Sequence, residues 1–318
     1  MEHSNTVLPL STPICAVVLG YGSIGARHAK ILEEFGCHVI VVSNRPNVHP
    51  SCRSNLREVL ESLSVNYVVI ANETSKHMDI LRELRATNYK GRVLVEKPLS
   101  NNIDGTGDLD ASNIYLGYQL RYDPLLIAFY KALAGQRIIS AELRAGSYLP
   151  DWRPGRDYRL TESARPNAGG GVLRDMSHEL DYALWLFGPW QKLTASGGHL
   201  SSLEIETDDV FVILAEMERC PLVTISLNYL DRQEERRAVV NTTETTICAD
   251  IVRRTLIVGS DIVFQGSATD IDETYRAETR AMISGNIEYG CTLAEGKAVV
   301  EMLAAAEKAA KEERWIHR

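Results

Sequence analysis

The sequence lacks long apolar runs and any excess of basic residues. No apolar stretch approaches about 18 residues, the length expected of a membrane-spanning helix, so we expect no membrane partner. Residues 1–13 lack the basic start and the long apolar stretch of a secretory signal peptide. Acidic residues outnumber basic residues, 42 to 34, whereas binding to a nucleic-acid backbone needs a basic surface. We therefore expect no nucleic-acid partner.

Cysteine is scarce and is not arranged for metal binding. The cysteines form no CxxC pair and no Cys/His cluster with the spacing of a zinc site, so we expect no metal. Cysteines in or beside apolar strands behave as small hydrophobic residues. We expect reduced thiols and a cytoplasmic location. The six are Cys15, Cys37, Cys52, Cys220, Cys248 and Cys291.

The first third of the 318 residues alternates short apolar strands with helical patterns. Strands are predicted over 14–19, 39–42, 67–71 and 93–95, and continuous apolar runs of this kind are typical of buried parallel strands. Ser54 is the expected cap of one intervening helix, and Thr74 or Ser75 of another. The order predicts a doubly wound α/β domain over residues 1–121.

The remainder, 122–318, predicts an α+β substrate-binding domain with a large, open, mainly antiparallel sheet. One open apolar sheet face favours burial against a second copy, so we expect a homodimer or homotetramer through this sheet. A loop rich in Pro, Gly and Arg is expected over 149–171. The helices are predicted over 123–133, 172–187 and 293–311, and the strands over 137–145, 209–217, 222–229, 238–241, 245–250 and 254–258.

A GxGxxG sequence follows the first predicted strand and begins a helix. In that position, glycines allow a tight turn and let the backbone approach a pyrophosphate, while the helix N-terminus supplies N–H groups for the anion. The segment therefore predicts a dinucleotide site. Its expected contacts are Gly20, Gly22, Ser23, Ile24 and Gly25.

The end of the second predicted strand bears on the choice of cofactor. NAD enzymes usually place a carboxylate there for the ribose 2′-hydroxyl, whereas this chain has Ser43, Asn44 and Arg45. A guanidinium suits a 2′-phosphate. The residues favour NADP over NAD, and the alternative is that Arg45 points into solvent.

Three further segments carry a family resemblance: 70–77 (IANETSKH), 95–99 (VEKPL) and 169–181 (GGGVLRDMSHELD). Together with GYGSIG at 20–25, they resemble the Gfo/Idh/MocA oxidoreductases, named after glucose–fructose oxidoreductase and inositol dehydrogenase. The resemblance has motif-level detail from about 14 to 190. It implies a nicotinamide-dependent oxidoreductase that acts on a CH–OH group of a sugar or sugar derivative.

The resemblance also implies roles for individual residues. Lys97 would polarise the reacting hydroxyl or act on its proton, His178 would be the main proton carrier, and Asp175 would be its partner or a substrate ligand. Many family members place this Asp four residues before the His, whereas here the spacing is three. The alternative for His178 is an exposed helical histidine paired with Asp181 or Glu179. The further expected cofactor contacts are Asn72, Glu73, Thr74, His77, Glu96 and Lys97.

The substrate is expected at the start of the second domain. The family places polar substrate contacts near Arg121 and Tyr122, and Asp181 lies near the proposed catalytic pair. In the loop, arginines and aromatics could hold an acidic sugar or a nucleotide sugar; the alternative is a solvated loop balanced by Asp151 and Asp157. The loop residues are Trp152, Arg153, Arg156, Tyr158 and Arg159.

The sequence is also compatible with other functions. A redox-neutral nicotinamide-dependent glycosidase and a non-catalytic sugar or cofactor sensor share this scaffold, as does a bilin- or imine-type reductase. Retention of Lys97, Asp175 and His178 together favours catalysis over sensing.

Overall fold

A computed structural model describes residues 14–101, 103, 112–267 and 271–318. The strands are β1 (Cys15–Leu19), β2 (His38–Val42), β3 (Cys52–Arg53), β4 (Tyr67–Ile70), β5 (Arg92–Val95), β6 (Ile114–Leu116), β7 (Ile138–Gly146), β8 (Trp190–Gly198), β9 (Val210–Met217), β10 (Cys220–Asn228), β11 (Glu235–Thr242), β12 (Thr246–Asp250), β13 (Thr255–Val258), β14 (Asp261–Gln265), β15 (Cys291–Thr292) and β16 (Ile316–His317). The helices are α1 (Ser23–Glu34), α2 (Leu56–Ser62), α3 (His77–Ala86), α4 (Pro124–Leu133), α5 (Val172–Asp175), α6 (His178–Phe187), α7 (Asp272–Ser284) and α8 (Leu293–Glu312).

The first sheet has the order β3-β2-β1-β4-β5-β6-β15 and is parallel except at β15. Its central strands are apolar on both faces, so they are buried between helices and read as continuous Val, Ile and Leu runs. The predicted doubly wound sheet is thus confirmed. The strand order reverses between β1 and β4, and ligands of such sheets bind at the carboxyl ends of the strands beside that point.

The second sheet has the order β14-β13-β12-β11-β7-β10-β9-β8-β16 across the described residues. Every neighbouring pair is antiparallel except β7 with β10, which confirms the mainly antiparallel prediction. Along β9, alternate residues are buried, as expected for a strand with one covered face. Helices α4, α6 and α8 pack on the sheet, while Ile139, Val212 and Leu222 are exposed on adjacent strands.

The division into residues 1–121 and 122–318 requires a correction, because the chain returns to the first sheet. Strand β15 pairs with β6, with Cys291 opposite Leu116. Helix α7 packs on α1, and Arg27 Nε lies 2.8 Å from a carboxylate oxygen of Asp272. The predicted second domain therefore contributes an edge strand and a helix to the first.

The single helix predicted over 172–187 is wrong. Helix α5 ends at Asp175 and α6 begins at His178, because Met176 leaves the helical region with φ −97° and ψ 32°. Helix α6 is also buried on nearly all sides, its residues Glu179 and Asp181 included. Charged side chains on its polar side are buried in ion pairs instead of being exposed to water.

Several local expectations also change. Asn55 caps α2 by accepting from the N–H of Glu58 at 3.3 Å, in place of Ser54. A short 3₁₀ turn over Thr74–Lys76 precedes α3, so neither predicted residue caps that helix. Strands β8 and β14 and helix α7 were not predicted. None of the helices in the described part of the chain combines the length and hydropathy that a membrane crossing needs.

Candidate functional site

The glycine turn after β1 is built for close packing on one side and open space on the other. Gly20 has φ +88°, and a Cβ there would lie 2.8 Å from the backbone of Asn72. A Cβ on Gly25 would lie 2.1 Å from the carbonyl oxygen of Gly20. At Gly22, by contrast, a Cβ would meet no described atom within 4 Å.

Helix α1 begins at Ser23, and its N-cap residue, Gly22, has no side chain that could accept from the first N–H groups. The first N–H groups of the helix thus face the open side of the turn, beside the half-buried Ile24. This cradle fits a dinucleotide pyrophosphate, because free N–H groups and the positive end of the helix dipole favour an anion.

The end of β2 presents polar groups beside this turn. Ser43 Oγ accepts from the backbone N–H of Arg45 at 3.1 Å, and Asn44 is exposed. The Arg45 guanidinium donates to the backbone carbonyl of Tyr21 within the glycine turn. The exposed guanidinium is therefore held over the cradle and does not extend freely into solvent.

The loop after β4 holds the glycine turn in place. Asn72 Oδ1 is buried and has no hydrogen-bond partner among the described residues. Glu73 pairs with Lys76 at the surface, and Thr74 begins the 3₁₀ turn. An unpaired buried oxygen is costly, so Asn72 is the member of this loop best suited to receive a donor from a bound ligand.

His77 does not reach the surface, which corrects its expected role as a cofactor contact. Its ring is fully buried, with Nδ1 3.2 Å from the carbonyl of Pro98 and Nε2 3.1 Å from the carbonyl of Asn72. Burial lowers the pKa of His77. The side chain connects the loop after β4 to the loop after β5.

Glu96 and Lys97 follow β5, and their shared loop contains a cis peptide bond between Lys97 and Pro98. The Glu96 carboxylate lies 2.8 Å from His28 Nε2 and accepts from the N–H of Lys97 at 3.2 Å. Glu96 is buried, 8% exposed. Its contacts are inside the protein, so it orients the loop that carries Lys97.

Lys97 reaches across to the second domain. Its Nζ donates to the backbone carbonyl of Asp175 at 2.8 Å. The Asp175 carboxylate in turn accepts from the Tyr229 hydroxyl at 2.6 Å. An ammonium has three N–H donors, so Lys97 retains two for a substrate oxygen.

His178 lies close to Lys97 but is not paired with Asp175. Its Nδ1 is buried without a hydrogen-bond partner in the described ranges, and its ring meets Tyr118 edge-on at 5.5 Å. Burial lowers the pKa of His178 well below 6.5, and the charges of Lys97 and Arg236 lower it further. The imidazole is therefore neutral at pH 7, as a base must be.

The predicted pairing of Asp175 with His178 is therefore wrong. The helix ends between the two residues, so their side chains do not share a face. The alternative pairing of His178 with Asp181 or Glu179 is also wrong. Glu179 pairs with Arg236 at 2.8 Å, and Asp181 pairs with Arg121.

Arg121 and Asp181 form part of the scaffold and do not line an open site. Both are nearly inaccessible, 2% and 1% exposed, and two Arg121 N–H groups reach the Asp181 carboxylate at 2.7 and 2.9 Å. Arg121 Nη1 also lies 2.7 Å from Glu295. Tyr122 is buried as well, with its ring 6.4 Å from that of Tyr289. Burial of the three predicted substrate ligands removes them from solvent.

The loop over 149–171 forms a small cleft of about 10 Å³, room for about one water, lined by Trp152, Arg153, Arg156 and Tyr158, among others. Arg153 and Arg156 are exposed and form no ion pair with any described residue, whereas Arg159 pairs with Asp157 at 2.8 Å. The loop is therefore not balanced by its own carboxylates, and Arg159 is not free for a ligand.

One aromatic pair joins the cleft to Tyr229, which in turn contacts Asp175. The Trp152 ring meets Tyr229 edge-on at 5.2 Å, and its Nε1 donates to Ser147 Oγ at 2.8 Å. Because Tyr229 also bonds Asp175, the cleft is two contacts away from the residue that holds Lys97.

Comparison with known families agrees with this geometry. Residues 14–112 match the profile of an oxidoreductase family with an NAD-binding Rossmann fold, GFO/IDH/MocA. Residues 137–248 match the C-terminal domain profile of the same family. The chain belongs to the GFO/IDH/MocA family. It is therefore an NAD-binding oxidoreductase by family, as its motifs imply.

Individual relatives are more distant. An uncharacterised oxidoreductase of Synechocystis sp. is 28% identical over 151 residues, 45% of this chain; the match spans only 40% of that relative. Solved structures share the fold over nearly the whole length. GenD2 from gentamicin A biosynthesis, in complex with NAD, is 21% identical with a TM-score of 0.78, covering 98% of this chain and 99% of that one.

Two further structures give the same picture. A myo-inositol dehydrogenase from Corynebacterium glutamicum is 21% identical with a TM-score of 0.75, covering 96% of this chain and 99% of its own. Levoglucosan dehydrogenase in complex with NADH is 17% identical with a TM-score of 0.79, covering 96% and 99%. At these identities the likeness establishes the fold of this GFO/IDH/MocA chain.

Several residues of the site were not predicted from sequence. Tyr229 is the last residue of the strand predicted over 222–229, and His28 lies on the first helix three residues after Gly25. Tyr118 and Arg236 border His178. An aromatic residue at a strand end was a usable signal for Tyr229. Nothing in the local sequence indicates that Arg236 lies near His178, because β11 and α6 meet only in the folded protein.

Proposed function

We propose that the protein is an NAD(P)-dependent dehydrogenase that oxidises a secondary hydroxyl of a sugar carrying an anionic group. The observation that carries this proposal is the neutral, buried His178 beside the cationic Lys97, at the edge of a domain that belongs to an NAD-binding family. Oxidation of an alcohol requires removal of a hydride and a proton, so a base must lie beside the carbinol.

The residues divide this work between them. The bound nicotinamide supplies the acceptor for the hydride that leaves the carbinol carbon with the C–H electron pair. His178 takes the hydroxyl proton, and the O–H electron pair forms the new carbonyl bond. Lys97 donates to the substrate oxygen and stabilises the negative charge that develops there. In the reverse direction the same residues return the proton to the oxygen.

The cofactor cradle favours a dinucleotide with a 2′-phosphate. No carboxylate follows β2 to repel that phosphate, and Arg45 is held near the glycine turn. A guanidinium binds phosphate through a charge-assisted fork. Neighbours of the same fold were crystallised with NAD or NADH, so the preference for NADP rests on Arg45 and on the missing carboxylate after β2.

The cleft favours an anionic sugar. Arg153 and Arg156 are without carboxylate partners in the described residues, although acidic residues exceed basic ones in the chain. Guanidinium groups bind carboxylates and phosphates strongly, and the rings of Trp152 and Tyr158 offer flat apolar surface for a sugar face. The neighbours named as myo-inositol and levoglucosan dehydrogenases support a sugar or polyol substrate, and the anionic group is inferred from the two arginines alone.

A turnover assay tests this function. Purified protein is incubated with NAD⁺ or NADP⁺ and each of D-glucuronate, D-glucose 6-phosphate, UDP-glucuronate and myo-inositol, and reduced nicotinamide is followed by absorbance. We expect turnover with at least one anionic sugar and little with neutral myo-inositol. The Arg153→Ala/Arg156→Ala double variant should raise KM for that sugar at least tenfold. Absence of turnover with every sugar and both cofactors would contradict the proposal.

A further inference from the structure

Tyr229 lies at the junction of three segments that the proposed chemistry uses. It directly follows β10 and is fully buried. Its backbone N–H donates to the carbonyl of Asp209 at 2.8 Å, and its own carbonyl accepts from the N–H of Leu149 at 3.1 Å. Both backbone hydrogen-bonding groups of Tyr229 are thus paired, and this fixes the position from which its side chain extends.

The hydroxyl of Tyr229 donates to the Asp175 carboxylate. The donor–acceptor distance of 2.6 Å is that of a strong O–H···O⁻ bond. Burial and the neighbouring carboxylate raise the pKa of Tyr229 well above 10. The phenol is therefore protonated across the neutral range and donates its proton to Asp175, while its oxygen also accepts a hydrogen bond from the Ser163 side chain.

Asp175 is consequently held at both ends. Tyr229 binds its carboxylate, and Lys97 binds its backbone carbonyl at 2.8 Å. The end of α5 between Asp175 and His178 removes the alternative carboxylate–imidazole contact. Any displacement of Asp175 shifts the carbonyl against which the Lys97 ammonium rests.

We propose that Tyr229 is a positioning residue that fixes Asp175, and through it Lys97, for the reaction. This inference rests on the proposed dehydrogenase function. Tyr229 also contacts Trp152 edge-on at 5.2 Å, so it joins the substrate cleft to the lysine. Its hydroxyl donates to Asp175, so we expect Tyr229 to act through that residue and not directly on the reacting hydroxyl. Its contribution is to the rate of hydride transfer and not to the binding of either ligand.

The test removes only the hydroxyl. Tyr229→Phe keeps the ring against Trp152 and deletes the bond to Asp175. With the anionic sugar that the wild-type protein oxidises fastest among D-glucuronate, D-glucose 6-phosphate and UDP-glucuronate, we expect kcat to fall on the order of 10-fold to 100-fold, the usual effect of a small misplacement. The sugar KM and the NAD(P)H affinity, measured by fluorescence, should stay within about twofold of wild type.

Tyr182→Phe is the matched control, because Tyr182 is another buried tyrosine whose hydroxyl donates to a carboxylate, that of Glu179 at 3.2 Å. It should retain the wild-type kcat. If Tyr229 is purely structural, removing its hydroxyl will lower the melting temperature, as in Tyr182→Phe, and will leave kcat at the wild-type value.

A double-mutant cycle with Asp175→Ala shows whether the effect passes through Asp175. We expect Tyr229→Phe/Asp175→Ala to transfer hydride no more slowly than Asp175→Ala alone, because the hydroxyl has lost its acceptor. Multiplicative losses, or a wild-type rate in Tyr229→Phe, would overturn the positioning role while leaving the dehydrogenase function intact. A wild-type protein that oxidises none of the sugars would contradict the proposed function, and the positioning role with it.

Discussion

At the scale of single residues, the burial of His178 determines how the protein responds to pH. Its pKa is lowered well below 6.5, so the imidazole stays neutral where an exposed histidine begins to protonate. We expect kcat/KM for sugar oxidation to stay level from pH 8 to about pH 6.5 and to fall only below that range. A pH–rate profile checks this, and an acid limb centred at or above pH 6.5 would contradict it.

The same shift affects stability. The folded-state pKa of His178 lies below the unfolded value, so the unfolded chain binds the proton first as the pH falls. Stability present above about pH 6.5 is then lost progressively on acidification, by up to about 1.4 kcal/mol per pH unit. Denaturant titrations measure the free energy of unfolding at pH 7.5 and at pH 5.5. The decrease between these pH values should be about 1 kcal/mol smaller in His178→Gln than in the wild-type protein. Equal losses in both proteins would exclude this linkage.

Arg45 provides a residue-scale test of cofactor choice. Its guanidinium is held near the glycine turn by the Tyr21 carbonyl. Arg45→Ala should weaken NADP binding about tenfold or more, because a charge-assisted contact to phosphate is lost, and leave NAD binding nearly unchanged. Calorimetric titration with both cofactors measures this. The preference for NADP is wrong if both affinities fall equally or if the wild-type protein binds NAD more tightly.

The sequence motifs identified the residues of the site, but they did not indicate which of these residues contact each other. The family motifs brought attention to Lys97, Asp175 and His178, and the structure brings Lys97 near both of the others. The partner of Asp175 could not be predicted, because Tyr229 is 54 residues away in sequence. The three-residue spacing was a usable signal, since it left the exact role of Asp175 open.

At the scale of elements, Arg121 joins the segment after β6 to α6 and α8. Asp181 is buried and pairs with the Arg121 guanidinium. Removing the guanidinium would leave a buried carboxylate without a partner, which is costly. Arg121→Leu should lower the free energy of unfolding by about 3–5 kcal/mol. The matched variant Arg153→Leu, at an exposed position, should change stability by less than about 0.5 kcal/mol and instead raise the sugar KM. Denaturant unfolding and steady-state kinetics separate the two roles, and the reverse pattern would restore Arg121 as a substrate ligand.

Element prediction succeeded where burial is uniform and failed where tertiary contacts decide. The Val and Ile runs of β1 and β4 are buried on both faces, so their pattern reports strands directly. The end of α5 was not predictable from periodicity, because 172–187 keeps a helical spacing through Met176. Buried ion pairs along α6 also obscured the pattern, since charged residues normally indicate an exposed face.

At the scale of the whole molecule, the open sheet face predicts self-association. Ile139, Val212 and Leu222 lie on the adjacent strands β7, β9 and β10 and are 43%, 38% and 49% exposed. Leu222→Asp should convert a dimer or tetramer into a 35.4 kDa particle. Leu63→Asp, exposed to a similar extent in the first domain, should leave assembly unchanged. Light scattering that gives a monomer for the wild-type protein would refute the prediction.

The overall architecture followed from element order, but its connections did not. Alternating strands and helices predicted the first sheet, and successive strand-like runs predicted the second. The return of β15 to β6 was not predicted because a two-residue strand has no periodicity to detect. Its position depends on where α7 and α8 pack, which is a property of the assembled chain.

Single-turnover hydride transfer in Lys97→Ala and His178→Ala tests the central claim most directly. The cofactor is bound first, the anionic sugar is added in a stopped-flow instrument, and the reduced nicotinamide is followed. Both rates should fall on the order of 10²- to 10⁴-fold, the usual range for positioned acid–base groups, with cofactor affinity unchanged in His178→Ala. A near-normal rate in His178→Ala would contradict the account, and the segment around Asp175 and His178 would then be structural, as in a non-catalytic sensor.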